Sequence, residues 1–310
     1  MDNLKHYSVL LHESIDLLNI IKDGNYLDCT VGGAGHSAEI LKRIPDGHLY
    51  GFDQDNFAIN RATERLNQIG NNFTLYKDNF VNIKHYFSDC FFDGIIYDLG
   101  VSSFQFDLPE RGFSYRFDGP LDMRMNEDDH ITAADIVNNY EYNDLVRIFY
   151  EYGEEKYAKE IARKIVAFRS VSPITSTLQL VDIIKSALPA KELRKSGHPA
   201  KQVFQALRIE VNDELHNLEK SLVDALSLLK PNGILVVITF HSLEDRIVKR
   251  LFKKVTTFDL PKGIPFVPEN MKLEYELVNT KVILPSKEEL NENNRSHSAK
   301  LRSIKRLSIF

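Results

Sequence analysis

Apolar segments of strand length alternate with amphipathic segments of helical period over the first hundred residues. Helical patterns cover residues 13–21, 36–43 and 56–68. The strand-like segments, in chain order, are NYLDCT, HLYGFD, NFTLYKD and FFDGIIYDLG. This alternation predicts an α/β fold, with a parallel sheet covered by helices on both faces. Because ligands of such sheets bind at the carboxyl ends of the strands, the strand-end residues are candidates for a site: Thr30, Asp53, Asp78 and Asp98.

The pattern changes after about residue 106, where an irregular stretch with two prolines begins. Helical patterns follow over 132–138, 142–151, 154–169 and 176–188. Apolar residues spaced by threes and fours then predict one long helix that begins near His198 and ends at KPNG, residues 230–233. The next segment, GILVVITF, returns to strand character. We therefore predict a sheet domain in two parts, 1–105 and 213–310, with an inserted all-helical domain at 106–212.

The segment LDCTVGGAGHS joins the first predicted strand to a helix through a glycine-rich turn. Glycines there let backbone N–H groups approach a ligand closely. The spacing lacks the third glycine of a dinucleotide-binding fingerprint, although Asp53 lies at the distance expected for a ribose-binding acid. Asp28 precedes the turn, and a carboxylate there suits a cationic ligand such as S-adenosylmethionine. A dinucleotide and a purely structural turn stay open as alternatives.

Composition narrows the classes of protein further. The 310 residues carry a formal net charge of -5, which argues against indiscriminate coating of nucleic acid but allows a specific RNA substrate. Two cysteines, with no CxxC pair and no HExxH, favour neither a disulfide framework nor a metal site. The first residues contain no long apolar segment, so we expect a cytoplasmic protein that does not span a membrane.

Five later segments carry chemistry-bearing residues. Asp98 in IIYDLGVSS follows an apolar strand, a position at which amino-group methyltransferases commonly have an acid that accepts a hydrogen bond from the target amine; a local turn is the alternative. Gln105, shortly after, contacts a cofactor or belongs only to its loop. The segment RGFSYRFDGPLDMRM combines arginines with aromatic residues, which suits an extruded base and phosphates, or else an Ω-type loop closed by its own salt bridges. The candidates there are Arg111, Phe113, Tyr115 and Arg124.

The segment KQVFQALRIEVND places polar residues on one helical face: Lys201, Gln205, Arg208 and Asn212. That face either contacts RNA or is simply solvated. In ITFHSLEDRIVK, His241 lies at another strand end, and Ser242 with Asp245 predicts a capping box. The segment NNRSHSAKLRSIKRL, residues 293–307, predicts a local basic patch, for which a strand with a basic exposed face is the alternative. Its members are Arg295, Lys300, Arg302, Lys305 and Arg306.

Taken together, these segments resemble the MraW family of ribosomal RNA methyltransferases. The segments that carry the resemblance are HYSVLLHE, DCTVGGAGHS, DLGVSS, RGFSYRFDGPLDMRM, KQVFQALRIEVNDEL, FHSLEDRIVK and RSHSAKLR, and they cover nearly the whole chain. The resemblance implies a class I, Rossmann-like methyltransferase sheet interrupted by a helical substrate-recognition domain. It also implies methyl transfer from S-adenosylmethionine to the N4 amine of a cytidine in the decoding region of small-subunit (16S) ribosomal RNA, free or in the 30S particle.

Residue by residue, the resemblance implies a cofactor site at Ala34, Gly35, His36, Asp53, Phe80, Asp98 and Gln105. The family usually has glycine where this chain has Ala34, so we expect only backbone contact there. We further expect Asp98 to be the catalytic residue that accepts the amine proton, and a flipped cytosine to stack on Phe113 or Tyr115. DNA as the substrate, a nucleotide-dependent oxidoreductase and a non-catalytic RNA-binding assembly factor stay open, as does the oligomeric state, with a homodimer as one option.

Overall fold

A computed structural model describes residues 8–258 and 272–308, so His6 and Tyr7 of the first motif lie outside the described residues. The chain forms two compact units. One unit comprises Met1–Gly100 and Leu215–Phe310, and the other comprises Val101–Glu214, whereas the pattern predicted boundaries after residues 105 and 212. Among the described residues, no helix is both long enough and apolar enough to cross a membrane.

The first unit contains a seven-stranded sheet, and its strands are β1 Asn25–Asp28, β2 His48–Asp53, β3 Phe73–Lys77, β4 Phe92–Asp98, β5 Leu229–Thr239, β6 Tyr275–Leu277 and β7 Lys300–Arg306. Their order in the sheet is β3-β2-β1-β4-β5-β7-β6. Strands β1 to β5 pair in parallel, and β7 pairs antiparallel with both β5 and β6. The predicted α/β, Rossmann-like fold is confirmed.

Helices cover this sheet: α1 Leu11–Leu17, α2 Gly35–Leu41, α3 Asn56–Asn67, α4 Ile83–Tyr86, α12 Glu214–Leu228, α13 Ser242–Val255 and α14 Lys287–Glu292. Successive side chains of a strand point to opposite faces, so Ile95 and Ile96 of β4 enter two different apolar clusters. Both faces of the sheet are therefore buried. The parallel strands consequently have nearly continuous apolar sequences.

The second unit is helical, with α5 Ser103–Asp107, α6 Ala133–Asn139, α7 Tyr142–Glu151, α8 Ala158–Arg169, α9 Thr177–Ala187, α10 Ala190–Leu193 and α11 Lys201–Asn212. Its core is a separate apolar cluster, to which Ile148, Ile161 and Leu207 belong. The helices between residues 132 and 188 lie within a few residues of their predicted positions. Helix α6 begins with a capping box in which the side chains of Thr132 and Asp135 each accept a backbone hydrogen bond.

The predicted single helix from His198 to Leu229 is wrong. Helix α11 ends at Asn212 because Asp213 adopts a left-handed conformation with φ 48°, and α12 begins at Glu214. The predicted KPNG breaker is also not where the helix ends, because β5 already begins at Leu229. The spacing of apolar residues continues across the break, which explains why the pattern alone does not reveal it.

Candidate functional site

The glycine turn follows β1 and leads into α2. Positive φ angles fall at Gly32 (47°) and Ala34 (56°), whereas Gly33 and Gly35 have none. A Cβ atom on Gly35 would lie 1.7 Å from the Ser8 hydroxyl oxygen, so a side chain there would force Ser8 to move. Ala34 is fully buried and precedes α2 in the left-handed region, which an L-residue with a side chain adopts at some cost.

Asp53, at the end of β2, binds the backbone of this turn. Its Oδ2 accepts a hydrogen bond from the Gly32 N–H at 2.8 Å, and its Oδ1 accepts one from the Asp55 N–H at 2.9 Å. Burial raises the pKa of the Asp53 carboxyl to about 6, although these hydrogen bonds oppose the shift. Each carboxylate oxygen keeps a further lone pair, so Asp53 can still accept a hydroxyl donor.

The ends of β1 and β4 are joined by a second set of hydrogen bonds. The Asp28 carboxylate accepts from the Thr30 N–H at 3.0 Å and from the Ser37 hydroxyl at 2.6 Å. The Thr30 hydroxyl oxygen in turn accepts from the Asp98 N–H at 2.6 Å. These hydrogen bonds link Asp28, the residues on either side of the glycine turn and the end of β4.

Asp98 is the least satisfied group among the residues that these hydrogen bonds link. Its Oδ1 is buried without a hydrogen-bond partner among the described residues, and its Oδ2 lies 3.6 Å from the His36 Nδ1. A buried carboxylate oxygen without a partner is costly, so such a group is a candidate for contact with a ligand. Burial, together with the negative charge of Asp28, raises the pKa of Asp98 to about 7.

Three carboxyl groups with raised pKa values therefore lie at the carboxyl ends of β1, β2 and β4: Asp28, Asp53 and Asp98. Asp28 raises the pKa values of both other groups through its charge. A cationic ligand would relieve this repulsion, and an anionic ligand would add to it. These three carboxyl groups therefore fit the positively charged sulfonium and ammonium groups of S-adenosylmethionine and do not fit a pyrophosphate.

The remaining predicted cofactor residues occupy different surroundings. Phe80 follows β3 in a single turn of 3-10 helix, and its half-buried ring meets the Tyr97 ring edge to face at 5.5 Å. Gln105 belongs to the helical unit, where it is buried and its Oε1 accepts from the Ser102 N–H at 3.2 Å. Asp78 serves its own loop, because its carboxylate accepts from the Asn79 N–H, the Asn82 amide and the Tyr86 hydroxyl.

The loop of residues 111–125 is closed by its own polar contacts, the alternative considered for this segment. Arg124 forms a bidentate pair with Asp122, with N–O distances of 2.9 and 2.7 Å, and donates to the carbonyls of Glu127 and Asp129. Buried Arg111 donates to the carbonyls of Arg124 and Met125. These guanidinium groups are occupied within the loop, which leaves them few donors for a phosphate.

The two aromatic candidates of this loop differ. Phe113 is only 3% exposed and belongs to the core of the helical unit, so its ring presents no free face to a nucleobase. Tyr115 is half-buried and stacks on the His198 ring, with centroids 4.4 Å apart and planes 19° apart. No sequence pattern marks His198 as this partner, because the two residues are far apart along the chain.

The polar face of α11 largely stabilises its own unit. Gln205 donates to the Tyr152 carbonyl at 2.9 Å, and Arg208 forms a bidentate pair with Glu214, both distances being 2.7 Å. The buried Asn212 amide donates to the Met123 carbonyl and accepts from the Met125 N–H. Lys201 is exposed at the start of the helix.

His241 has a capping role that the sequence assigned to its neighbours. The predicted box of Ser242 and Asp245 is wrong by one residue: His241 is the N-cap of α13, and Glu244 completes the box. The Glu244 carboxylate accepts from the Phe240 N–H at 2.7 Å and lies 2.9 Å from the His241 Nε2. His241 therefore has a structural function at the end of β5.

The C-terminal basic patch is largely neutralised by acids. Asp245 accepts from Arg302 at 2.8 Å and lies 3.2 Å from the Lys300 ammonium. Arg306 pairs with Glu274 at 2.6 Å and donates to the Leu229 carbonyl at 2.7 Å. The alternative, a final strand with basic side chains, describes β7 better than the predicted open patch does.

The sheet order, the glycine turn and the acids at the strand ends define a class I methyltransferase. The chain belongs to the MraW methylase family, whose sequence profile matches residues 3–307. Membership confirms the predicted methyl donor, S-adenosylmethionine.

Several known proteins are similar to this chain. A Streptococcus mutans protein named ribosomal RNA small subunit methyltransferase H is 57% identical over 312 residues, which cover 99% of each chain. Among solved structures, an rRNA methylase from Streptococcus thermophilus is 11% identical with a TM-score of 0.45, covering 98% of this chain and 99% of that one. A Streptococcus mutans protein described as a methyltransferase in complex with SAH is 12% identical with a TM-score of 0.46. The match covers 97% of this chain and 100% of that one.

Proposed function

We propose that this protein methylates small-subunit ribosomal RNA, and that the acceptor is the N4 amine of a cytidine in the decoding region. The 57% identity to a protein named for small-subunit rRNA methylation supports the substrate. The observation that best supports an amine acceptor is the buried Asp98 Oδ1, which has no hydrogen-bond partner among the described residues. A carboxylate oxygen held in this way is available for the N–H of an incoming amine.

The residues of the sheet unit would position the methyl donor. Asp53 would accept the ribose hydroxyls, and the backbone of Ala34, Gly35 and His36 would line the cofactor. The three acids at the strand ends would favour the cationic part of the molecule. When bound, S-adenosylmethionine supplies an electrophilic methyl group on a positively charged sulfur.

Asp98 would then act on the acceptor. The lone pair of the cytosine N4 is delocalised into the ring, so a hydrogen bond from N4–H to the Asp98 carboxylate raises electron density at that nitrogen. Nitrogen attack on the methyl carbon forms the C–N bond and breaks the C–S bond, whose electron pair stays on sulfur. Asp98 takes the proton that the nitrogen loses. Alignment contributes most to such an in-line displacement, because charge is lost rather than created.

The helical unit would contribute RNA contacts. A base edge is accessible only after the nucleotide leaves the stack, and aromatic rings then hold it. Tyr115, which is half-buried beside His198, is the better candidate for this stacking, since Phe113 is in the core. Lys201 is the exposed cation among the predicted substrate residues of α11 and would contact phosphate. Arg111, Arg124, Gln205, Arg208 and His241 would support the fold around these contacts.

The test is transfer of a labelled methyl group to small subunits from a strain that lacks its own enzyme for this modification, followed by mapping of the modified nucleotide. We expect label at the N4 of one cytidine, and loss of turnover by at least about 100-fold in Asp98→Ala. Asp46→Asn is the control, because Asp46 is exposed in a distant loop beside Lys22. Label at another base or atom would refute the proposed acceptor, and full turnover in Asp98→Ala would refute the role of Asp98.

A further inference from the structure

The environment of His36 defines which of its ring nitrogens carries the proton. The Nε2 lies 3.2 Å from the Val9 carbonyl oxygen, which can only accept a hydrogen bond. The Nε2 therefore carries the hydrogen, and in a neutral imidazole the Nδ1 is then an acceptor with a free lone pair. Burial lowers the pKa of His36 to about 4, so the ring is neutral at physiological pH.

The free lone pair of His36 faces Asp98. The Nδ1 lies 3.6 Å from the Asp98 Oδ2, which is longer than a hydrogen bond, and a carboxylate at that place offers the ring only lone pairs. Once Asp98 is protonated, an O–H on the oxygen that faces His36 can donate to the Nδ1. A proton received on Oδ1 reaches that position when the carboxyl group turns by about 180° about χ2, which exchanges its two oxygens. Catalytic hydrogen bonds are often long in structures without substrate and shorten in the reacting complex.

We propose that His36 is the positioning residue for the proton acceptor, with its Nδ1 accepting a hydrogen bond from Asp98 after Asp98 has taken the amine proton. This inference rests on the proposed function. The N–H bond of the amine breaks, the O–H bond of Asp98 forms, and the proton remains on Asp98 while it is shared with His36. Release to solvent after product departure returns Asp98 to the carboxylate, so no further reactant is needed.

Other charged groups near Asp98 also shift its pKa. Asp28 at the end of β1 and Glu244 at the start of α13 favour the protonated form, whereas the Arg295 guanidinium favours the carboxylate. An acceptor at the His36 Nδ1 also favours the protonated form, because it stabilises the neutral acid. Removing that acceptor should therefore lower the pKa of Asp98.

The test compares His36→Gln with the parent. A glutamine amide reaches the position of the Nε2 and can still donate to the Val9 carbonyl, but it has no group at the position of the Nδ1. We expect kcat to fall about 10-fold and the acidic limb of kcat/KM, near the pKa of Asp98, to move to lower pH by about one unit. The affinity for S-adenosylmethionine should change by less than about threefold, since the variant keeps the backbone of the turn.

The matched control is His48→Gln, because His48 is a half-buried histidine of β2 whose Nε2 meets the Thr74 hydroxyl at 2.9 Å, away from Asp98. Its pH profile should match that of the parent. Either of two results would overturn the inference. One is an acidic limb of kcat/KM that does not move in His36→Gln. The other is a long-range ¹H–¹⁵N spectrum of the ligand-free protein that shows the proton on the His36 Nδ1. Failure of the proposed function itself would instead appear as full turnover in Asp98→Ala.

Discussion

The Asp53 carboxylate accepts a hydrogen bond from the Gly32 N–H at 2.8 Å, so the end of β2 holds the glycine turn that follows β1. Asp53→Asn replaces one acceptor oxygen by an N–H₂ donor, which then faces a backbone donor of Gly32 or Asp55. A hydrogen bond to a charged group contributes about 1.5–3 kcal/mol, so we expect the affinity for S-adenosylmethionine to fall roughly 10- to 100-fold. Isothermal titration calorimetry measures this change.

Asp46→Asn is the control for that measurement, because it removes an exposed carboxylate whose partner Lys22 lies 3.8 Å away at the surface. Its affinity for the cofactor should equal that of the parent. An Asp53→Asn variant with parental affinity would show that Asp53 neither binds the ribose nor shapes the turn.

The raised pKa values of Asp98, about 7, and Asp53, about 6, predict pH-dependent cofactor binding. A cationic ligand favours the ionised form of both acids, so binding below their pKa values must release protons. The affinity for S-adenosylmethionine should therefore rise with pH between about 5 and 8 and level off above. SAH lacks the sulfonium charge and should show a weaker dependence. Equal pH dependence for both compounds would contradict the electrostatic role of the acids.

Substitutions of Ala34 test the left-handed backbone of the turn, because this residue is fully buried and has a φ of 56°. Glycine there relieves about 1–2 kcal/mol of left-handed strain but loses about 0.8 kcal/mol of methyl burial and about 0.5–1 kcal/mol through the freer unfolded chain. We expect the unfolding free energy of Ala34→Gly to stay within about 1 kcal/mol of the parent. Ala34→Val adds β-branching at positive φ and should cost about 3 kcal/mol or more.

Ala38→Val separates strain from crowding in the same denaturant titration. Ala38 is also buried but lies inside α2 with ordinary helical backbone, so valine there only overpacks the core. We expect it to be less destabilising than Ala34→Val. If the two valine variants were equally unstable, the positive φ of Ala34 would contribute nothing.

The sheet was predictable because its evidence is local. Each parallel strand is a short apolar run between helical segments, and burial on both faces requires such runs. The strand-end positions of Asp53 and Asp98 follow from the same pattern. Their partners do not, because the contact of His36 with Asp98 arises only when β1 and β4 become neighbours in the sheet.

The sequence predictions that failed concern a long helix, a helix cap and a basic patch. Each depends either on one backbone angle or on contacts that the sequence pattern does not show. One left-handed residue, Asp213, divides a continuous apolar pattern into two helices. The cap of α13 moves to His241 because Glu244 reaches back to the Phe240 and His241 N–H groups, which leaves Asp245 free to pair with Arg302 of β7. Net charge along the segment cannot reveal such pairing.

Arg302 and Lys201 are predicted to differ in RNA binding. Arg302 is already paired with Asp245 at 2.8 Å, whereas Lys201 is exposed at the start of α11. Each phosphate contact contributes about 0.7 to the slope of log affinity against log salt concentration for single-stranded RNA. Lys201→Gln should reduce that slope by about 0.7 in filter-binding titrations and leave the unfolding free energy nearly unchanged, whereas Arg302→Gln should destabilise the fold and leave the slope as it is. A slope reduced by Arg302→Gln alone would show that β7, rather than the start of α11, contacts the RNA backbone.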